Sequence, residues 1–209
     1  GEGEWFRVHD LLRQRLIAVQ HEVLSPDDIT NVHFTLAAWF LDRDDVNEAV
    51  RHAVASGDSA RAAEIVGIRV HQELAVDHWL EVERWLAQIP ESLVANSIEL
   101  LIARAWVVQS RGRRDALRAI LSEARPLLAS EAMTDDARER FAAELDLIET
   151  FVSAEPAPTQ ETVVRFARAF VALRGTDRFG ELICIQYHLT ALSRLDPARA
   201  EATIAELLS

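Results

Sequence analysis

Two histidines of this 209-residue chain are candidate metal ligands. His71 and His78 are seven positions apart, a spacing that puts both on one face of a continuous helix, and Asp77 and Glu81 lie beside them. Imidazole and carboxylate ligands of this kind bind zinc. The residues around Asp77 have the character of a helix break, however, and the sequence supplies no third ligand at a fixed spacing. We therefore predict no metal site and interpret both histidines as surface residues.

Nothing typical of an enzyme accompanies these histidines. No serine lies in a nucleophile-elbow motif, and Cys184 stands between two isoleucines, which indicates a buried structural thiol. The acidic pairs Asp44-Asp45 and Asp135-Asp136 stand at predicted helix starts, where they offset the helix dipole. All 22 basic residues are arginines, so the sequence lacks a phosphate-binding loop with its lysine. We predict that the chain is not an enzyme, with no catalytic residue and no cofactor of its own.

Aromatic and basic residues in the middle of the chain supply the candidates for binding. Trp79 and Trp106 could stack on a ligand, although tryptophans of helical proteins more often pack between helices. Arg111, Arg113 and Arg114 flank a turn glycine and form the most basic spot of the chain. They predict a docking site for an acidic partner or an anionic effector, with a solvated loop as the alternative. These five residues form our candidate effector or partner surface.

Composition restricts the fold that must position these residues. Apolar residues make up 49% of the chain, enough for a core, whereas only 7 Gly and 6 Pro are present. The β-branched residues form no alternating runs. The sequence therefore predicts an all-α protein.

Charge and cysteine content restrict its partners and location. The formal net charge of −12 repels phosphate backbones, so we expect no nucleic-acid binding by this segment alone. No apolar run is long enough to cross a membrane, and the single cysteine excludes an internal disulfide. We predict a cytoplasmic location without membrane contact.

Apolar residues recur at steps of three and four along most of the chain, which is typical of amphipathic helices joined by short turns. Ser25 followed by Pro26 marks the start of one such helix. Its spacing predicts that Phe34, Ala38 and Leu41 face inward.

A second apolar stripe predicts a helix near the middle of the second half, formed by Phe141, Leu145, Ile148 and Val152. The proline-containing residues 154–158 that follow are typical of a linker.

The stretch from Ala105 to Leu127 has the small-residue pattern of a tetratricopeptide unit, although its turn is one residue shorter than the common form. Gly112 stands at the turn, Ala116 inside the second helix and Pro126 near its end. Small residues at these positions let two helices approach closely. We predict a right-handed superhelix of antiparallel helical hairpins, with an irregular helical bundle as the alternative.

Four segments in the first half carry a family resemblance: EWFRVHDLLRQRL, AAWFLDRDDVNEAVRHAVASGDSARAAEIV, RWLAQIPESL and LLIARAWVVQSRG. In this order they resemble the MalT-like family of large LuxR-type regulators, which belong to the signal-transduction ATPases. The resemblance is strongest from Trp5 to Gly112, and from Arg113 to Ser209 it becomes generic repeat character. The chain begins without Met, and we expect it to be a piece of a longer protein.

The resemblance implies a division into three regions. Residues 1–24 correspond to the C-terminal part of a winged-helix domain, whose last helix precedes the hairpins. Residues 25–96 correspond to a helical arm, and residues 97–209 to a truncated tetratricopeptide-like sensor region.

The same resemblance assigns a role to the segment Val8-His9-Asp10. It is similar to the signature that ends the winged helix in these ATPases, where the histidine contacts a phosphate of bound ADP. This implies that His9 and Asp10 sense nucleotide in the full-length protein, with ATP or ADP bound in a domain upstream of this segment. The alternative for His9 is a partly exposed histidine at a helix start.

We therefore expect a non-catalytic sensor and coupling segment of an ATP-dependent LuxR-type transcriptional regulator. It would bind a small-molecule effector or a regulatory protein and control the upstream ATPase, with DNA bound only by a further C-terminal domain. The full-length protein could oligomerise. Two alternatives stay open: a tetratricopeptide-type interaction scaffold, and the regulatory arm of a serine/threonine kinase or an adenylate cyclase.

Overall fold

The computed structural model describes residues 10–130, 133–152, 159–175 and 178–207. Every regular element within these ranges is a helix, so the all-α prediction is confirmed. The α-helices are α1 Asp10–Val23, α2 Pro26–Leu41, α3 Val46–Ala55, α4 Ser59–Ala75, α5 Trp79–Leu86, α6 Glu91–Val94, α7 Ile98–Ser110, α8 Arg114–Ala124, α9 Asp135–Val152, α10 Gln160–Leu173, α11 Arg178–Leu195 and α12 Pro197–Leu207. A 3₁₀ turn, Arg125–Ala129, follows α8. None of the described helices is both long and apolar enough to cross a membrane.

The chain divides into two compact units, Gly1–Ala62 and Ala63–Ser209. In the first unit α2 packs against α3. In the second, α7 packs against α5, α8 and α9, and each helix from α9 to α11 packs against the one that follows. The pair α2–α3 and the consecutive helices from α7 to α12 thus pack as the predicted helical hairpins. The boundaries 1–24, 25–96 and 97–209 stay a prediction.

Four helices end with the same backbone pattern, in which a residue in the left-handed region follows the last turn. Its φ is between 63° and 79° at each position: Asp44, Gly57, Asp77 and Gly112. The next residue donates its N–H to the carbonyl five residues back, as Asp58 does to Ala53 at 3.1 Å. Glycine suits this conformation because it has no Cβ, so the predicted stop at Gly57 is confirmed.

The predicted start of α2 is also confirmed. The Ser25 hydroxyl accepts a hydrogen bond from the backbone N–H of Asp28 at 3.2 Å, and the Asp28 carboxylate accepts the N–H of Ser25 at 3.2 Å. With Pro26 in the first helical turn, this reciprocal cap satisfies donors that the helix itself leaves unpaired.

The inward face of α2 differs from the prediction. Phe34 is 58% exposed and Ala38 is exposed, so the prediction for these two residues is wrong, and Leu41 is half-buried. Ala37 is buried instead, and Phe40 stacks on a buried histidine of α3. Apolar residues occupy several sides of α2, so their spacing alone does not define the face that α3 covers.

The inward face of α9 is as predicted. The four residues of its apolar stripe are all buried: Phe141, Leu145, Ile148 and Val152. Cys184 on α11 is buried as well, which confirms it as a core residue. The predicted linker, residues 154–158, lies outside the described residues. The α9 stripe also contains one charged residue, Glu144, which is only 1% exposed.

Candidate functional site

A cavity of about 680 Å³ lies in the second unit, within the range of about 300 to 1,000 Å³ that is typical of small-molecule sites. Its walls come from α4, the first turn of α7, α9 and α11. Phe141 and Phe179 supply its aromatic surface. Charged and titratable side chains converge on it from three helices: Glu64 and His71 from α4, Glu99 from α7, and Arg140 from α9.

A buried hydrogen-bond network lies behind the His71 wall of this cavity. Oε1 of Glu144 is 2.9 Å from Nε2 of His71 and accepts the indole N–H of Trp106 at 2.7 Å. His71 is 26% exposed at its side chain, whereas Glu144 and Trp106 are each 1% exposed. One carboxylate oxygen therefore joins α4, α7 and α9.

The electrostatics of the network keep Glu144 ionised. Burial by itself raises the pKa of this carboxyl. The positive charge of His71 and the hydrogen bonds from His71 and Trp106 act in the opposite direction, with a smaller contribution from the charge of Arg140. We conclude that the pKa of Glu144 lies below its ordinary value. The second oxygen, Oε2, is buried and has no hydrogen-bond partner among the described residues.

In the described part of the chain, Arg140 contacts an aromatic ring rather than a carboxylate. Its guanidinium lies over the ring of Phe141, 4.7 Å from the ring centroid, and forms no ion pair with a carboxylate of the described residues. Seven other arginines of this unit are paired with aspartate or glutamate: Arg84, Arg104, Arg111, Arg118, Arg125, Arg138 and Arg165. The cavity wall thus holds a cation whose hydrogen-bonding fork can engage an anionic group.

Aromatic rings continue from the cavity wall into the core. The ring centroid of Phe179 lies 5.0 Å from that of Trp106 and 5.9 Å from that of Trp79, in edge-to-face arrangements. Trp106 also meets Phe151 at 6.0 Å. Edge-to-face contacts of this kind stabilise a rigid wall beyond the effect of buried area.

The structure places the five predicted binding residues in two groups. Trp79 is half-buried and Trp106 fully buried, so Trp106 packs between helices and presents no ring face to solvent. Arg111 forms an ion pair with Glu83, whereas Arg113 and Arg114 are exposed. None of the five is among the described residues that line the cavity. Phe179, however, connects both tryptophans to the cavity wall.

Of the two residues predicted to sense nucleotide, His9 lies outside the described residues and Asp10 is the first residue of α1.

His71 and His78 have different carboxylate partners. Nδ1 of His78 is 2.7 Å from Oε2 of Glu73, and His78 is exposed, as predicted. His71 is half-buried rather than on the surface, because its imidazole reaches inward to Glu144. The helix break that separates the two histidines is confirmed, since α4 ends at Ala75.

A second histidine cluster lies in the first unit. Nδ1 of His33 on α2 is 2.7 Å from Nδ1 of the buried His52 on α3. Nη2 of Arg51 is 2.9 Å from Nε2 of His52, and the ring of Phe40 stacks on His52 at 5.3 Å. Arginine only donates hydrogen bonds, so Nε2 of His52 accepts, and its Nδ1–H donates to His33. Burial foremost, and the charges of Arg51 and His33, lower the pKa of His52.

Sequence reasoning did not identify Glu144, Arg140 or Phe179. A signal for Glu144 was present: it lies three residues after Phe141 and four before Ile148, so it interrupts an apolar helix face. A charged residue on such a face requires a buried partner. The partner itself was not predictable from local spacing, because His71 lies 73 positions away.

Comparison with known proteins adds a relationship that covers most of the chain. Over 141 residues, or 63% of the chain, it is 30% identical to the HTH-type transcriptional regulator MalT of Klebsiella pneumoniae subsp. pneumoniae. It is 31% identical over 139 residues to the protein of that name from Cronobacter sakazakii. The chain is similar to MalT. The matched part covers 14% of the length of each relative. No protein-family model and no solved structure matches the chain.

Proposed function

We propose that this chain is a sensor and coupling segment of a MalT-like, LuxR-type transcriptional regulator. The similarity to MalT over 63% of the chain carries the proposal. In this function the segment is not an enzyme. It binds an effector or a regulatory protein and transmits its occupancy to an upstream ATPase module, while a helix-turn-helix module elsewhere in the protein binds DNA.

The cavity supports this proposal because its walls belong to several helices. A ligand that contacts α4, α7, α9 and α11 together stabilises the packing in which those walls are correctly spaced. The buried Glu144 network fixes three of these helices, α4, α7 and α9, relative to one another. Occupancy can therefore shift the equilibrium between two arrangements, by the difference in ligand affinity between them.

The nucleotide part of the proposal rests on His9 and Asp10. In the full-length protein they would contact bound ADP at the end of a winged-helix domain and hold the resting state. Effector binding to residues 97–209 would release this contact through the arm of residues 25–96 and allow assembly into an active oligomer.

The complete coding sequence around this segment tests the proposal first. A glycine-rich phosphate loop upstream and a helix-turn-helix downstream are expected. A kinase or cyclase module would replace transcription as the output, and stop codons close to both ends would leave only an interaction scaffold. Either of these two results would overturn the proposed function.

A scaffold function has one structural observation in its favour. Arg113 and Arg114 are exposed and form no ion pair with the described residues, so they are accessible to an acidic partner. Exchange of both for glutamine should abolish binding of a poly-glutamate peptide, measured by fluorescence anisotropy of the labelled peptide. Arg118→Gln is the matched control, because Arg118 is paired with Asp115. Equal peptide binding by all variants would exclude this docking site.

A further inference from the structure

We propose that the cavity of the second unit binds a small zwitterion, a molecule of the amino-acid or dipeptide class with a free carboxylate and a free ammonium group. This inference rests on the proposed sensor function and names its ligand. It follows from the distribution of charge on the cavity wall, where a cation and an anion come from different helices: Arg140 from α9 and Glu99 from α7.

Arg140 supplies the carboxylate site. Its guanidinium is half-buried, has no carboxylate partner among the described residues and lies over the ring of Phe141. The contact with the ring restricts the guanidinium, whose fork of N–H groups can bind a carboxylate through two parallel hydrogen bonds. His71 is not a competing anion site, because its charge is already matched by Glu144.

Glu99 supplies the ammonium site. Oε2 of Glu99 accepts the Ser97 hydroxyl at 3.0 Å, which orients a half-buried carboxylate at the start of α7. The Glu99 carboxylate accepts hydrogen bonds and so favours a cation with N–H donors, of which a primary ammonium has three.

The charge of the whole chain favours a zwitterion over a simple ion. A net charge of −12 repels an approaching anion, whereas a simple cation is repelled by Arg140 inside the cavity. A zwitterion has no net charge and can satisfy both signs on the wall. Its apolar body would pack against Phe141 and Phe179, the two aromatic surfaces of the cavity.

Calorimetric titration of the 209-residue chain tests the inference with L-leucine and L-leucyl-L-leucine. Each is compared with its N-acetyl form, which has no ammonium, and with its C-terminal amide, which has no carboxylate. We expect at least one zwitterion to bind and both of its blocked forms to bind about tenfold more weakly, a difference of about 1.4 kcal/mol.

Two variants test which side chain binds the carboxylate and which binds the ammonium group of the ligand. Arg140→Gln should weaken binding of the zwitterion about tenfold and leave binding of the amide unchanged. Glu99→Gln should weaken binding of the zwitterion and leave binding of the N-acetyl form unchanged. Arg168→Gln is the control, because Arg168 is exposed on α10 and the exchange removes the same charge. Folding of each variant is checked by circular dichroism.

Two results would overturn the inference: no binding of either zwitterion at millimolar concentration, or binding that Arg140→Gln and Glu99→Gln leave unchanged. The result is independent of the coding-sequence test. Absence of binding beside intact ATPase and helix-turn-helix modules would refute the ligand class alone. Binding in a chain without those modules would refute the regulator function alone.

Discussion

Each of the two units contains a histidine that contacts a buried group, but the neighbours of the two histidines favour opposite charge states. In the first unit His52 faces another imidazole and a guanidinium, and burial lowers its pKa. In the second unit His71 faces the buried carboxylate of Glu144. The first arrangement is stable with a neutral His52, and the second with an ion pair.

The difference shows that burial and the hydrogen-bonding partner together decide which protonation state a folded histidine favours. Arg51 cannot accept a proton or a hydrogen bond, so it leaves His52 only the neutral form with a hydrogen on Nδ1. Glu144 can only accept when ionised, so it favours a protonated His71. Variants of each partner should therefore have different consequences.

The largest effect is expected from removal of the buried carboxylate. Glu144→Leu leaves the indole N–H of Trp106 and the imidazole of His71 without their acceptor, and should lower the free energy of unfolding by about 3 kcal/mol. Glu144→Gln keeps an acceptor oxygen, so it should lower the free energy of unfolding by a smaller amount. Urea unfolding followed by circular dichroism measures both.

Glu139→Gln is the control for this comparison, because Glu139 is exposed on the same helix. Buried ion pairs replaced by apolar groups are neutral in some proteins. A Leu variant as stable as the parent chain would show that the desolvation of Glu144 cancels its contacts.

Substitution of the turn glycines should have a smaller effect on stability, equal in the two units. Gly57→Ala and Gly112→Ala each place a Cβ in open space, so the whole cost comes from φ values of 79° and 65°. Each exchange should destabilise its own unit by about 1 kcal/mol. Thermal unfolding of the two variants checks this. Clearly unequal losses would show that the units differ in their turns as well as in their histidine clusters.

The smallest expected effect is the pH dependence of the histidine pair in the first unit. Because folding lowers the pKa of His52, its contribution to stability is complete above the ordinary value of 6.5 and decreases as the pH falls through that value. Glu144 has a lowered carboxyl pKa, so its contribution decreases only below its ordinary value of 4.5. Between pH 6.5 and 4.5 the two clusters should therefore respond differently.

The difference between the parent chain and His52→Gln isolates the response of the first unit, since burial also lowers the pKa of His188 in the second. Urea unfolding at several pH values should give a shallower pH slope for the variant. Identical slopes would contradict the assigned neutral state of His52.

Local features were predictable from the sequence, and features that depend on distant contacts were not. The cap at Ser25, the stop at Gly57 and the apolar face around Phe141 follow from spacing within one or two turns of helix. The face of α2 did not follow, because Phe34 and Ala37 are both apolar and only the packing of α3 distinguishes them.

The candidate site was less predictable than the fold for the same reason. Its charged residues come from helices that are far apart in the sequence, and the contact between His71 and Glu144 spans 73 positions. From its type alone, Trp106 is a candidate either for ligand binding or for packing between helices. The structure shows its indole as a buried hydrogen-bond donor to Glu144, a contact that residue type does not predict.

The contact between Trp106 and Glu144 also gives the molecule an optical reporter of its own. An indole in a dry environment emits at shorter wavelength than one in water, and a nearby protonated imidazole quenches it. Trp106 is buried beside both His71 and a carboxylate, whereas Trp39 is partly exposed with the guanidinium of Arg43 over its ring. The emission of Trp106 should therefore respond to the state of the cavity wall without any added dye.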